Sequence, residues 1–119
     1  PFILNCMITI DAKDKTLGRV ASAAAKALLG KHAADFAKNV VSPVEVKVTG
    51  VEGMKISGDK AVQKEYIRYS GYPGGQKSET YEQLTERRGN REVLRRAILG
   101  MLPKNKLQMR RIKLLTIEN

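Results

Sequence analysis

"MITIDAKDKTLGRVASAAAKALLGK", residues 7–31, is a strand feeding a helix, and this unit sets the fold class. "MITID" (7–11) is a short apolar run with β-branched residues, which predicts a strand. Asp14 or Thr16 then stands where a helix N-cap is needed. Leu17, Val20, Ala21, Ala24 and Leu28 recur at helical spacing and form one apolar stripe, with Arg19, Ser22 and Lys26 off it. Gly30 follows the last apolar pair, the place of a left-handed C-terminal cap.

Outward from this unit, residues 32–43 have no clean period and end at Pro43, which predicts a loop. "VEVKV" (44–48) alternates strictly, as a strand with one buried face does. "GVEGMKISGDK" (50–60) carries three glycines and predicts turns, and "EYIRYS" (65–70) is a third strand. "SETYEQLTERR" (78–88) reads as a helix. "NREVLRRAILGML" (90–102) is a second strong helix, with Leu94, Ala97, Ile98 and Met101 inward, Arg88, Arg95 and Arg96 elsewhere, and Pro103 as its stop. "RRIKLLTI" (110–117) supplies a last strand, with Lys113 beside the core positions Ile112 and Leu114. Strands alternating with helices predict an α/β fold. The expected form is a three-layer α/β/α sandwich around a small, mostly parallel four-stranded sheet. One domain is expected over residues 1–119, with "PFILNC" (1–6) as a flexible or extra leader.

The chain has 119 residues, 42% of them hydrophobic, enough for one domain with a real core. No apolar run approaches the ~18 residues of a membrane-spanning helix. The start lacks a basic leader and a small-residue cleavage site, so no secretory signal is expected. Cys6 has no second cysteine, and Cys6 with His32 is too few for a zinc site. These features predict an intracellular chain with no structural metal and no cofactor.

Charge is more informative. There are 22 Lys and Arg against 12 Asp and Glu, a net +10. Residues 1–86 hold 12 basic and 10 acidic side chains, whereas residues 87–119 hold 10 basic and 2 acidic. Most of the excess therefore sits in the last third. A positive field concentrated in this way suits a polyanion.

"RYSGYPGGQKSE" (68–79) resembles a phosphate-cradling loop at first sight. Gly71, Lys77 and Ser78 occupy three of the four fixed positions of G-x-x-x-x-G-K-[ST]. The fourth is Gln76, whose side chain obstructs the tight turn, and Pro73 removes an N–H donor from a loop that works by donation. The last third also contains no Asp to hold magnesium. The bare G-x-x-G of Gly71–Gly74 follows a strand, whereas the KH motif lies between two helices. Pro73–Gly74–Gly75 fits a tight turn. Tyr66, Tyr69, Tyr72, Arg68 and Lys77 around it supply rings that stack on bases and cations that neutralise phosphates. No acid–base or nucleophile constellation stands out. Capping explains Asp11 and Asp14, and His32 lies in a loop, so catalysis is not expected.

Several stretches together resemble one known family. They are "IDAKDKTLGRVAS" (10–22), "LLGKH" (28–32), "KISGDK" (55–60), "YIRYSGYPGGQKS" (66–78) and "RRAILGMLPKNKL" (95–107). The family is the universal large-subunit ribosomal protein numbered thirteen, in its bacterial form, and the resemblance spans Met7 to about Ile117. Tyr69 stands where the family commonly has His. "AADFAKNVVSP" replaces a basic, proline-containing segment, and the usual aromatic-glycine tail is lacking, so the chain resembles a trimmed member. The resemblance implies a non-enzymatic α/β domain in cytoplasmic ribosomes. It would bind large-subunit rRNA beside neighbouring ribosomal proteins and support early subunit assembly. A regulatory RNA- or DNA-binding module off the ribosome and a small nucleotide-binding enzyme remain as alternatives.

On this reading Lys104, Lys106, Arg110, Arg111 and Lys113 neutralise phosphates where RNA strands converge. The loop of Ser70, Gly71, Tyr72, Pro73, Gly74 and Gly75 sets register by close backbone approach, helped by Arg68 and Lys77. Arg88, Arg91, Arg95 and Asn105 are further RNA-contact candidates in the basic third. Arg19, Lys31 and His32 are candidates near the first helix.

Overall fold

The computed structural model describes residues 7–31, 34, 36–41 and 43–118. The elements among them are β1 (Met7–Asp11), α1 (Leu17–Leu29), β2 (Glu45–Thr49), α2 (Lys60–Gln63), β3 (Glu65–Tyr69), β4 (Gln76–Thr80), α3 (Tyr81–Arg88), α4 (Asn90–Met101), α5 (Gln108–Ile112) and β5 (Leu115–Ile117). A 3-10 turn at Val51–Gly53 follows β2. The expected leader at residues 1–6 and His32 lie outside the described residues.

The fold is mixed α/β, and its main sheet is parallel with strand order β1-β2-β5. It has three strands, not the expected four. The segment read as a third strand, Glu65–Tyr69, pairs antiparallel with Gln76–Thr80 in a separate hairpin. Parallel partners point to the same face of a sheet. Register therefore aligns Ile8, Val46 and Leu115 in one row and Ile10, Val48 and Ile117 in the next. That face enters the core beside Val20, Ala21, Ala24 and Leu28 of α1 and Leu94 and Ile98 of α4. The opposite face carries Met7, Thr9, Asp11, Glu45, Lys47, Thr49 and Thr116, all exposed or half-buried. Among the described residues the apolar core lies on this one face of the main sheet, and the expected three-layer arrangement is not reproduced. Apart from Met7, the side chains named on that outer face are polar or charged, so it offers little apolar surface for a further helix to cover.

Helix α1 behaves as its pattern predicts. Thr16 is its N-cap residue, although its hydroxyl makes no capping hydrogen bond, and Gly30 closes it at φ 77°. The alanines of its buried stripe bring α1 and α4 close together. In α4, Leu94 and Ile98 are buried as expected and Ala97 is half-buried. Met101 departs from the expected inward stripe and is 46% exposed. Val93, not singled out from the sequence, is fully buried instead.

Two boundaries differ from the expected ones. The helix read over 78–88 starts at Tyr81, because its capping box lies at Thr80 and Gln83. The amide of Gln83 donates to Thr80 Oγ1 at 3.4 Å, and the amide of Thr80 donates to Gln83 Oε1 at 3.0 Å. The strand read over 110–117 is confined to Leu115–Ile117, and Gln108–Ile112 is helical. Gln108 Nε2 donates to the Leu99 carbonyl at 2.7 Å and ties this short helix to α4.

Candidate nucleic-acid interface

The glycine-rich stretch is the tip of the β3–β4 hairpin. The amide of Gly75 donates to the Tyr72 carbonyl at 2.9 Å, and Gly74 sits at φ 71°. Proline second and a positive-φ glycine third make this a type II turn. At Gly75 the space itself is closed: a Cβ there would collide with the Ser70 side chain and meet the Tyr72 carbonyl oxygen at 2.9 Å. Ser70, Gly71, Tyr72, Pro73 and Gly74 are all exposed, Tyr72 at 75%. Lys77 lies within a strand, not at the start of a helix, so the hairpin lacks the strand–loop–helix form that a nucleotide phosphate loop requires.

Register decides which side chains meet. Arg68 is the direct cross-strand partner of Lys77, and Tyr66 that of Glu79. All four share one face of the hairpin. Arg87 grips Glu79 with two hydrogen bonds, from Nε at 2.7 Å and Nη2 at 2.8 Å. That pairing, first through the hydrogen bonds, holds the Glu79 carboxyl below the usual range. Glu79 is thus committed to Arg87, and among the described residues Arg68 and Lys77 make no ion pair. The other face and the tip show Ile67, Tyr69 and Tyr72 at 61%, 66% and 75% exposure.

The basic last third divides by structure into separate groups. Arg88, Arg91 and Arg95 converge on one recess with Glu92 and the β5 residues Leu115 and Ile117. Glu92 is 3.8 Å from Arg95 and 3.2 Å from Arg96, one carboxylate for two guanidiniums. Lys104, Lys106, Arg110 and Lys113 are exposed. Asn105 is exposed as well, and its Oδ1 accepts from the Leu107 amide at 3.0 Å, which shapes the turn into α5.

Arg111 departs from the expectation of a phosphate contact. It is 1% exposed, and its Nη2 donates to the Lys38 carbonyl at 3.3 Å. Its neighbour Ile112 enters the core, and the helical turn carries Arg111 inward while Arg110 and Lys113 point to solvent. A strand from residue 110 would have alternated these positions, and the helix changes the period. Arg19 is exposed on α1, and Lys31 is exposed beside Lys26 and Met101. Sequence reasoning passed over Arg87, Lys60, Lys64 and Arg96. The four-residue spacing of Lys60 and Lys64 was the available signal, hidden because that stretch read as turn.

Among the described residues no cluster of His, Cys, Asp or Glu could hold a metal ion, and no helix is long and apolar enough to cross a membrane. Residues 5–117 match the family model described as Ribosomal protein L13. The chain is similar to large ribosomal subunit protein uL13 of Symbiobacterium thermophilum, 48% identical over 98 residues, which is 82% of this chain and 68% of that one. Identity to the uL13 of Beutenbergia cavernae is 48% over 107 residues, 87% of this chain and 72% of the relative. With that of Pelotomaculum thermopropionicum it is 44% over 108 residues, 91% and 74% of the two chains.

Proposed function

The chain belongs to the ribosomal protein L13 family, and from this premise we propose that it is a structural, non-enzymatic constituent of the large ribosomal subunit, bound to large-subunit rRNA in cytoplasmic ribosomes. Its work is architectural: cations on separate elements neutralise phosphates of RNA strands that would otherwise repel one another. Neighbouring ribosomal proteins share the assembled surface, and early binding supports subunit assembly.

The observation that carries the RNA reading is the opposition of Arg68 and Lys77 in the hairpin ladder. Like charges directly opposite destabilise an isolated sheet. A phosphate placed between them turns that cost into attraction. The exposed rings of Tyr69 and Tyr72 offer stacking surfaces next to it. Lys104, Lys106, Arg110 and Lys113 form the second contact group, with Arg88, Arg91 and Arg95 between the two in sequence. Arg111 is excluded from these contacts by its burial.

Co-sedimentation in a sucrose gradient tests the proposal. The tagged chain is expected in the large-subunit fraction, and in assembly intermediates when subunit production is slowed. A chain that stays at the top of the gradient while binding RNA in vitro would favour a regulatory module off the ribosome.

A further inference from the structure

Where the hairpin joins the body, a cleft of about 450 Å³ opens between the start of α1, residues 55–57, α2, Tyr66 and α4. Four cations line it: Lys55, Lys60, Lys64 and Arg96. No carboxylate lies among its lining residues. The ion-pair partners of these cations are not among the lining residues: Asp14 reaches Lys55 only at 4.0 Å, and Glu92 pairs with Arg96 at 3.2 Å. None of these lysines figured among the RNA contacts expected from the sequence.

The geometry concentrates the charge. Lys64 Nζ lies 5.7 Å and Arg96 Cζ 5.5 Å from the centroid of the Tyr66 ring. One aromatic ring therefore gathers two cations at the cleft, an arrangement that an anion between them would relieve. Burial first, then neighbouring Tyr81, pushes the Tyr66 hydroxyl above its usual range, so it stays protonated and able to donate. The other walls are not ionic. Leu17, Ile56 and Ala97 supply apolar surface, Tyr81 a second ring, and Gly18 and Gly100 leave open space where side chains would stand. A bare phosphate needs far less than this volume and has no use for apolar walls. A cleft within the range of small-ligand sites, part apolar and part cationic, fits a phosphate joined to a flat heterocycle.

We infer that this cleft binds one phosphorylated nucleotide, its phosphate held by Lys55 and Lys60 and its base seated against the apolar wall near Arg96. The unit comes either from an unpaired position in single-stranded RNA or from a free mononucleotide. The RNA source rests on the function proposed above; the site itself does not.

The test is an NMR titration of the isotope-labelled full chain with adenosine monophosphate, adenosine, inorganic phosphate, a ten-nucleotide single-stranded oligoribonucleotide and its duplex. Saturable shifts at the amides of Gly18, Ser57 and Ala97 are expected with the monophosphate. Adenosine or phosphate alone should bind there more weakly, and the duplex should leave the cleft unmoved. Replacing Lys55→Gln and Lys60→Gln together should weaken monophosphate binding about tenfold or more, as loss of a charged hydrogen bond does. The variant's own spectrum reports that it is folded. The same cleft shifts with the single strand assign the source to RNA, and shifts with the monophosphate alone assign it to a free nucleotide. The inference is overturned if the monophosphate gives no saturable shift at these amides. It also falls if inorganic phosphate matches the monophosphate, or if the double variant binds as tightly as the parent. A parent chain that binds the monophosphate but no RNA would count against the proposed function and leave the cleft standing.

Discussion

Arg68 and Lys77 are directly opposed across the β3–β4 ladder, and the one carboxylate on their face, Glu79, is taken by Arg87. A two-stranded hairpin has little stability to spare. Here it carries a like-charge pair one step from the turn end of the ladder and exposed tyrosines towards its tip. On the function proposed above, a phosphate chain between the two cations would relieve their repulsion.

Neutralising Lys77 should therefore separate folding from binding. Lys77→Gln removes the cross-strand repulsion, and the free protein should melt at the same temperature or slightly higher. RNA affinity should fall, and the slope of log affinity against log salt should flatten by about 0.7–0.9 for one lost phosphate contact. A drop in melting temperature with an unchanged salt slope would give the pair a structural role only.

The turn offers two different glycine tests. Gly74 has φ 71° with open space around it, so Gly74→Val pays mainly for backbone conformation, about 1–2 kcal/mol. Gly75→Ala instead drives a methyl group into Ser70 and the Tyr72 carbonyl and should displace the turn. Both should weaken RNA binding more than they lower the global melting temperature, because the tip packs on nothing in the core. Melts and RNA affinity measured on the same samples check this.

Charge in the last third is divided between surface and interior. A triple change of Lys104, Lys106 and Arg110 to Gln should flatten the salt slope by about 2 if each meets a phosphate. The pair Lys26→Gln and Lys47→Gln is the control, since Lys47 is already held by Glu118 at 3.2 Å. Circular dichroism should show both variants folded. Equal flattening would mean that the protein binds through diffuse charge.

Arg111 should behave as a packing residue. Arg111→Ala should cost about 2–4 kcal/mol by leaving a cavity and an unpartnered carbonyl at Lys38. Arg111→Met fills the same space without a buried charge and should cost less. Denaturant melts of the two variants give the comparison, and neither change should alter the salt slope of RNA binding.

The Glu79–Arg87 pair predicts an acid-sensitive hairpin. The folded pKa of Glu79 lies below its unfolded value, so its contribution is present above the ordinary glutamate range and is lost as pH falls through the folded pKa. Arg87→Gln should move the Glu79 titration up towards the usual value, as followed by carboxyl NMR. No movement would mean that the two side chains do not pair in solution.

The sequence by itself determined what local chemistry controls. The stripe from Val20 to Leu28 and the stop at Gly30 followed from helical spacing and a left-handed cap. The strand around Val46 and Val48 followed from alternation, and the turn at Pro73–Gly74 from φ preferences. The family resemblance was legible for the same reason, being carried by short contiguous motifs. Tertiary structure decided what depends on partners distant in the chain. Glu65–Tyr69 has a strand pattern, but pattern does not say which strand it joins, and it left the main sheet for Gln76–Thr80. Arg110 and Arg111 are equal in composition, and only the turn of α5 sends one to solvent and buries the other. Lys55, Lys60, Lys64 and Arg96 are up to 41 residues apart in the chain. They became a single cleft because Tyr66 and the packing of α1 on α4 brought them to one wall. Charge is a property of residues, but field is a property of their positions, and those were settled by folding.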